Sequence, residues 1–406
     1  MRSARPKLPV LAALLILTTV SPASPQGVVK LPIVAEITGG GASVGAMWRD
    51  AVNLAVEDIN KKGGILGMKL ETSVQDTQTD PPTSVAVMRR VLNDKPFAVF
   101  GTQIALTVNG LMSGELSAAL CHAVNEWLLE YCSADPRRLR AVGLIPCQAP
   151  EAAVKELEWV ARQGAVSAML PTNVYGRNLG EPFFYPIYEA AEKIGLTLSV
   201  HPQTGHEGVP GVSGVMAAGT PRFFKYVYVH MTAFPFELMI AMMHMIGEGV
   251  FDRFPRLRVG FMEGGAGWLP FWMERLDEHV EKLAPQMPNL RRRPSEIIRS
   301  EQIVLTCESE ESGLDRVLDT AGPGTVLYAS DYCHWDCHFP DSVRDICEAR
   351  DLSLAQKERI LGRNAVDFFA LDNLPEPSAV RIARKGWTRA EGLPDGLPLQ
   401  ASARQV

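Results

Sequence analysis

The sequence predicts an α/β fold in which strand–helix units follow one another in series, closing into a TIM-type (β/α) barrel over the larger part of the chain. Three observations carry that expectation. Six short apolar runs after residue 140 alternate with helical stretches, the pattern of a parallel sheet with helical crossovers. The polar residues His201, Glu263 and Asp331 each close one of those runs, where barrel enzymes place their chemistry. A shorter alternation of different content precedes them, from Lys30 to Gly101. A doubly wound sheet is the alternative reading of the same alternation.

Residues 1–23 read as an export signal. Arg2, Arg5 and Lys7 precede an uncharged run from Leu8 to Val20, and Ser21, Pro22 and Ala23 supply small residues at a cleavage position. That run is short for a bilayer, and no later stretch is expected to do better, so an exported, soluble chain without a membrane span is expected. From Lys30 onward the order is strand, helix, strand, helix, strand. "LPIVAEI" is bounded by "TGGGASVG", "AMWRDAVNLAVEDINKKGG" has helical periodicity and a glycine stop, "KLETSVQD" alternates, "PPTSVAVMRRVLND" opens on prolines and "PFAVFG" closes. "TGGGASVG" lacks the Gly-Lys-Ser/Thr ending of a phosphate loop and reads as a tight loop before a helix.

After residue 115 the strands expected are "RAVGLIP", "AVSAML", "LTLSVH", "LRVGFME", "IVLTC" and "TVLYASD". The helices between them include "PEAAVKELEWVARQG", "PFFYPIYEAAEKIG" and "GWLPFWMERLDEHVEKL". Seven cysteines, odd in number and all after residue 120, suit reduced thiols better than a disulfide framework. The two ends of the chain therefore imply different compartments: export at one, a cytoplasmic origin at the other. A net charge of −6 excludes an extended nucleic-acid surface, which needs a clustered basic excess.

The chemistry concentrates at His201 after "LTLSV", Glu263 after "LRVGFM" and Asp331 after "TVLYAS". Imidazole and carboxylate together suit a divalent ion such as zinc, which activates water and polarises a substrate oxygen. Taken singly each has a plain structural reading, the histidine as a loop hydrogen-bonder and the aspartate as a helix cap. Glu263 is either a catalytic acid or base, or the acceptor that holds the "GGAGW" loop by its amides. His206, His230 and His334 are expected near the same rim as supporting or substrate contacts rather than ligands.

Two resemblances then organise the chain. The segment "AEITGGGASVGAMWRDAVNLAVEDINKKGGILGMKLETSVQDTQTDPPTSVAVMRRVL" resembles the opening lobe of leucine/isoleucine/valine-type periplasmic solute-binding proteins, over about residues 30–110. Residues 118–374 resemble the amidohydrolase-related family of the aminocarboxymuconate semialdehyde decarboxylase type. The stretches that carry this are "NEWLLEYCSADPRRLRAVGLIPCQAPEAAVKELEWV", "LTLSVHPQTG", "GVFDRFPRLRVGFMEGGAGWLPFWMERLDEH", "VLYASDYCHWDC" and "KERILGRNAVDFFAL".

The second resemblance implies a distorted TIM barrel with a mononuclear metal site, usually zinc and otherwise another divalent ion such as manganese. It implies His201 and Asp331 as ligands, Asp331 also as general base, and a small-molecule substrate cleaved at a C–C or C–N bond. It is compatible with a homodimer. Where this family often carries a catalytic histidine after strand six, the present chain has Glu263. The family's first motif, a His-x-His pair ending strand one, is absent, and no histidine precedes His122. A barrel domain lacking its first strands is thus expected, joined between about residues 102 and 118 to part of a binding-protein lobe and followed by a tail over 375–406. With two of four ligands lost, an enzyme impaired or inactive in this form is expected. The alternatives are an exported solute-binding protein for branched-chain amino acids or amides, and a non-functional chimera.

Overall fold

In the computed structural model the described residues are 28–101, apart from 40–41, 65–67, 79–82, 84–85, 88–89 and 92–99, together with 114–371, apart from 203–222, 224, 333, 335 and 339–340. The expected export signal, most of the expected junction, His206 and the tail lie outside them. The chain divides into two compact units, Met1–Thr102 with Cys333–Trp335, and Gln103–Tyr332 with Asp336–Val406.

In the first unit, strand β1 (Val28–Ala35) runs parallel to β2 (Lys69–Asp76) and to β3 (Phe100–Gly101), in the order β2-β1-β3. Helix α1 (Ala42–Lys61) makes the crossover. Val52, Val56 and Ile59 recur at helical spacing and pack on Leu31 and Leu70, which is how the periodicity of "VNLAVEDI" becomes a buried face. Asp76 closes the C-terminal end of β2 by accepting the amides of Ile37, Thr38 and Gln78.

In the second unit six parallel strands lie side by side in the order β11-β10-β9-β8-β5-β4. They are β4 (Val142–Leu144), β5 (Ser167–Pro171), β8 (Thr197–His201), β9 (Val259–Phe261), β10 (Ile303–Cys307) and β11 (Val326–Tyr328). A small ribbon, β6 (Asn173–Val174) and β7 (Arg177–Asn178), follows β5. All six expected strands are present, each within the run that announced it except β5, which extends one residue beyond "AVSAML" to Pro171. Leu170, Val200, Phe261 and Leu305 are fully buried, because a parallel sheet covered by helices buries both faces and its strands read as continuous apolar runs.

Helices fill the connections: α2 (Gly114–Cys132), α3 (Pro150–Arg162), α4 (Tyr185–Ile194), α5 (Tyr226–Gly247), α6 (Val250–Arg253), α7 (Leu269–Leu283), α8 (Pro294–Arg299), α9 (Leu314–Ala321), α10 (Ser342–Glu348), α11 (Leu354–Glu358) and α12 (Asn364–Phe369). Helix α3 shows why the sequence pattern works. Proline occupies its first position, where the missing amide costs nothing, and Ala153, Leu157 and Val160 form its buried stripe. Helix α4 stops at Gly195, whose φ of 81° is the left-handed conformation that glycine adopts without penalty.

The expectation that no later stretch reaches membrane length is corrected. Val227–Gly247 is long and apolar enough to cross a membrane, judged by length and composition alone. Leu238, Met242 and Met245 on it are fully buried in the core of the second unit, and Glu237 is buried with the Thr172 hydroxyl and the Asn173 amide donating to it. An apolar surface on nearly all sides identifies a core helix of a large domain as readily as a membrane segment. The six described cysteines, Cys121, Cys132, Cys147, Cys307, Cys337 and Cys347, form no disulfide with one another.

Candidate metal centre

The strand order β8-β9-β10-β11 brings four acidic or imidazole side chains to one end of the sheet. His201 is the last residue of β8, Glu263 follows β9 by two positions, Glu308 follows β10 directly and Asp331 follows β11 by three. The sequence reading named three of these; Glu308 is the addition. Its signal was present, an acid directly after the apolar run "IVLTC", but "CESEES" reads equally as a solvated acidic loop.

His201 Nε2 lies against Glu263 Oε2 in an ion pair between side chains that are 23% and 14% exposed. The opposite ring nitrogen, Nδ1, donates to the Pro202 carbonyl at 2.5 Å, which fixes the ring so that Nε2 faces the carboxylates. Burial works against the charged imidazolium. The hydrogen bond and charge of Glu263, with the Pro202 carbonyl and Asp331, nevertheless hold the His201 pKa above its usual value.

Carboxylate oxygens of Glu263 and Asp331 come within 4.8 Å of each other. Burial, then the Glu263 and Asp336 charges, push Asp331 up to about 7, against the opposing pull of His201. Glu308 is likewise raised to about 7, by burial and then by Asp331, Asp336, Glu311 and Glu263. Several acids therefore share a half-buried space with one imidazole, and the charge is balanced either by retained protons or by a cation. The donor set of an imidazole nitrogen and carboxylate oxygens fits a divalent ion such as manganese or zinc.

Both Glu263 (φ 62°) and Asp331 (φ 48°) sit in the left-handed region, which is uncommon for residues with a side chain and costs about 1–3 kcal/mol each. The surroundings hold them there. The Glu263 amide donates to the Thr306 hydroxyl on β10 at 2.8 Å. This places the carboxylate toward His201 rather than along the strand direction.

The alternative role given to Glu263, acceptor for the "GGAGW" loop, belongs to another residue. Glu311 accepts the amides of Ala266 at 2.9 Å and Gly267 at 2.5 Å. A side chain on Gly265 or Gly267 would begin 3.1 or 3.0 Å from a Glu311 oxygen, so the loop's glycines are what let the carboxylate in. Gly265 also has φ of 67°. The Trp268 indole completes the loop by donating to the Gly264 carbonyl at 3.0 Å.

Of the other rim histidines, His230 stands on α5 with its ring 4.3 Å from Phe234 and Nε2 3.9 Å from Asp336. It thus reaches an acid that itself raises Asp331 and Glu308. His334 falls in the stretch that groups with the first unit.

Comparison with known proteins places these residues in context. The family model described as "Amidohydrolase" matches residues 45–371. A 2-amino-3-carboxymuconate-6-semialdehyde decarboxylase of Dictyostelium discoideum is 28% identical over 260 residues, 62% of this chain and 67% of that protein. The crystal structure of a dihydroxybenzoic acid decarboxylase from Polaromonas sp., with bound manganese and the inhibitor 2-nitroresorcinol, superposes with a TM-score of 0.57 and 17% identity, covering 86% of this chain and 97% of that one. The likeness shows a TIM-barrel-like α/β fold. The leucine-, isoleucine-, valine-, threonine- and alanine-binding protein of Pseudomonas aeruginosa is 39% identical over 66 residues, 16% of this chain and 18% of that protein.

Proposed function

Because the chain belongs to the amidohydrolase family, we propose that it is a metal-dependent lyase that decarboxylates a small aromatic or aromatic-derived acid. The observation that carries the proposal is the convergence of His201, Glu263, Glu308 and Asp331 at the C-terminal ends of four neighbouring parallel strands, with the Glu263 and Asp331 carboxylates within 4.8 Å. The activities of the relatives support it: they are named for decarboxylation, of an aminocarboxymuconate semialdehyde in one case and of dihydroxybenzoic acid in the other.

His201 Nε2, Glu263 and Asp331 are the residues proposed to hold the ion. The excess of carboxylate over imidazole suits manganese at least as well as the zinc first expected, and manganese occupies the Polaromonas enzyme. When bound, such an ion supplies Lewis acidity toward substrate oxygens. The remaining chemistry belongs to the chain. Replacing a carboxylate by hydrogen breaks a C–C bond, releases carbon dioxide and consumes one proton at the carbon. Glu308, which is not among the proposed ligands and is raised to about 7, keeps such a proton available near neutral pH. It delivers the proton to the carbon and regains it from solvent. The Pro202 carbonyl, accepting from Nδ1, orients His201 with Nε2 toward the ion, and Glu311 holds the neighbouring glycine loop by its amides.

We propose further that the six-stranded sheet is a barrel without its first two strands, and that residues 30–110 derive from a solute-binding lobe. The absent His-x-His motif leaves the ion fewer protein ligands than a tetrahedral site needs, which weakens its retention. The binding-protein relation spans 16% of the chain, too little for both lobes that enclose a solute. The test is metal analysis of the purified full chain after manganese loading, alongside carbon dioxide release from dihydroxybenzoic acid and the aminocarboxymuconate semialdehyde. Occupancy below one ion per chain that falls to background in Asp331→Ala, with metal-dependent release, is the expected result. Metal content indifferent to Asp331→Ala and no release under any metal overturns the proposal.

A further inference from the structure

At the opposite end of the same sheet lies a cavity of about 710 Å³ whose charged walls are Arg258, Arg299, Arg359, Arg363, Glu301 and Asp367. Arg258 immediately precedes β9 and Glu301 lies two positions before β10, so the cavity opens at the strand N-termini. Strand rise puts it roughly 15 Å from Glu263, five residues further along the β9 segment. It shares no residue with the metal centre.

Four guanidiniums against two carboxylates leave an excess of two positive charges, within a chain whose net charge is −6. The plain reading is that these arginines cap backbone carbonyls, and three of the four do. Arg299 Nε donates to Thr320 O at 2.9 Å, Arg359 Nε to Pro323 O at 3.2 Å, and Arg258 Nη1 and Nη2 to Asp367 O at 3.2 Å and Gly195 O at 3.3 Å. Each guanidinium carries five donors, so capping leaves both Nη groups of Arg299 and one of Arg359 outside these bonds. Asp367 is a single carboxylate divided between Arg359 at 3.6 Å and Arg363 at 3.1 Å. Arg258 is under-compensated: burial lowers its pKa despite the opposing charge of Glu301.

Part of the remaining wall is the Gly322-Pro323-Gly324 turn. Gly322 has φ of 109°, which only glycine adopts readily. The turn presents backbone without bulky side chains beside the guanidiniums. Planar, always-charged forks around an open hollow are the chemistry that recognises oxyanions bidentately.

We propose that this cavity is a second ligand site, which takes a small multiply charged oxyanion of the phosphate class. The test is equilibrium dialysis of labelled inorganic phosphate against the full chain at constant ionic strength. Saturable binding near one per chain is expected. It should weaken about tenfold or more in Arg299→Ala/Arg363→Ala, the loss that follows from removing charge-assisted contacts. It should be unchanged in Asp331→Ala. Should the double variant not fold, Arg363→Gln alone is expected to weaken binding while keeping the wild-type melting temperature. No saturable uptake, undiminished binding by the folded arginine variants, or loss of binding in Asp331→Ala each overturns the assignment; the last would place the phosphate at the metal centre.

Discussion

Glu263 pairs with His201 across two neighbouring strands, Oε2 against Nε2, while its own backbone is held in the left-handed region at φ 62°. The pair makes the imidazole a directed donor rather than a freely rotating one. Replacing Glu263 by Gln keeps the shape and removes the charge. The expected outcome is metal affinity lower by about 10- to 100-fold, the range seen when groups that orient a ligand are lost. Titration of the apo-protein with manganese, followed by electron paramagnetic resonance, reads it directly. Equal affinity in wild type and Glu263→Gln would show that the carboxylate plays no part in holding the ion.

Stability should depend on pH in a sense opposite to that of most acidic surfaces. Asp331 and Glu308 titrate near 7 in the folded chain and near 4 when unfolded. Between those values the folded state binds more protons than the unfolded one, so stability falls as pH rises. Without divalent ions the melting temperature should drop by about 5 °C or more between pH 5 and pH 8. Manganese should flatten the profile, because a cation neutralises the carboxylates that otherwise need protons. Calorimetry in chelator and in manganese compares the two; a flat profile in chelator contradicts a shared cluster of raised carboxyls.

The Glu311 carboxylate and the glycine loop form one unit, so each should be sensitive to change in the other. Gly265→Ala introduces a side chain at φ 67° only 3.1 Å from Glu311 Oε1. A cost of about 1–3 kcal/mol is expected from strain and the displaced carboxylate. Glu311→Gln should lower kcat for carbon dioxide release more than it lowers metal content, because Glu311 binds the loop and not the ion. Parallel losses of metal and activity in Glu311→Gln would instead place Glu311 at the ion.

The strands were legible because each is a short, mostly apolar run, several of them closed by a polar residue, and "LTLSVH" and "IVLTC" need no tertiary information to be recognised. The site was partly legible for the same reason: His201, Glu263 and Asp331 stand out where such runs stop. Glu308 and Glu311 were hidden because "CESEES" reads as an ordinary solvated sequence, and only the fold brings Glu308 beside Asp331 and Glu311 to the glycine loop. Helix α5 was hidden by its composition. Being apolar around most of its surface, it has no period from which a face could be read. The loop's dependence on Glu311 joins residues 45 positions apart, a separation at which local pattern carries no information.

A buried network shows the same limit and yields a sharp test. Asp252 lies on the short helix α6 with its side chain 6% exposed. It accepts the Arg292 Nε at 2.6 Å and the Arg291 amide at 2.7 Å, and Arg292 reaches on to Phe251 O at 2.8 Å and Gln302 Oε1 at 2.9 Å. Burial raises the carboxyl pKa, but Arg292 and the amides of Arg291 and Arg292 outweigh it and hold Asp252 below the usual carboxylate range. Its contribution is therefore complete above about pH 4 and is lost as pH falls through the lowered folded value. Asp252→Asn turns an acceptor toward three donors into a partial donor and leaves Arg292 without its counter-charge. A loss of about 1–3 kcal/mol is expected, with a shallower acid limb than wild type because the titrating group is gone. Urea unfolding followed by tryptophan fluorescence at pH 7 and pH 3.5 separates the two effects. If Asp252→Asn costs as much at pH 3.5 as at pH 7, the stabilisation comes from packing and not from the charge.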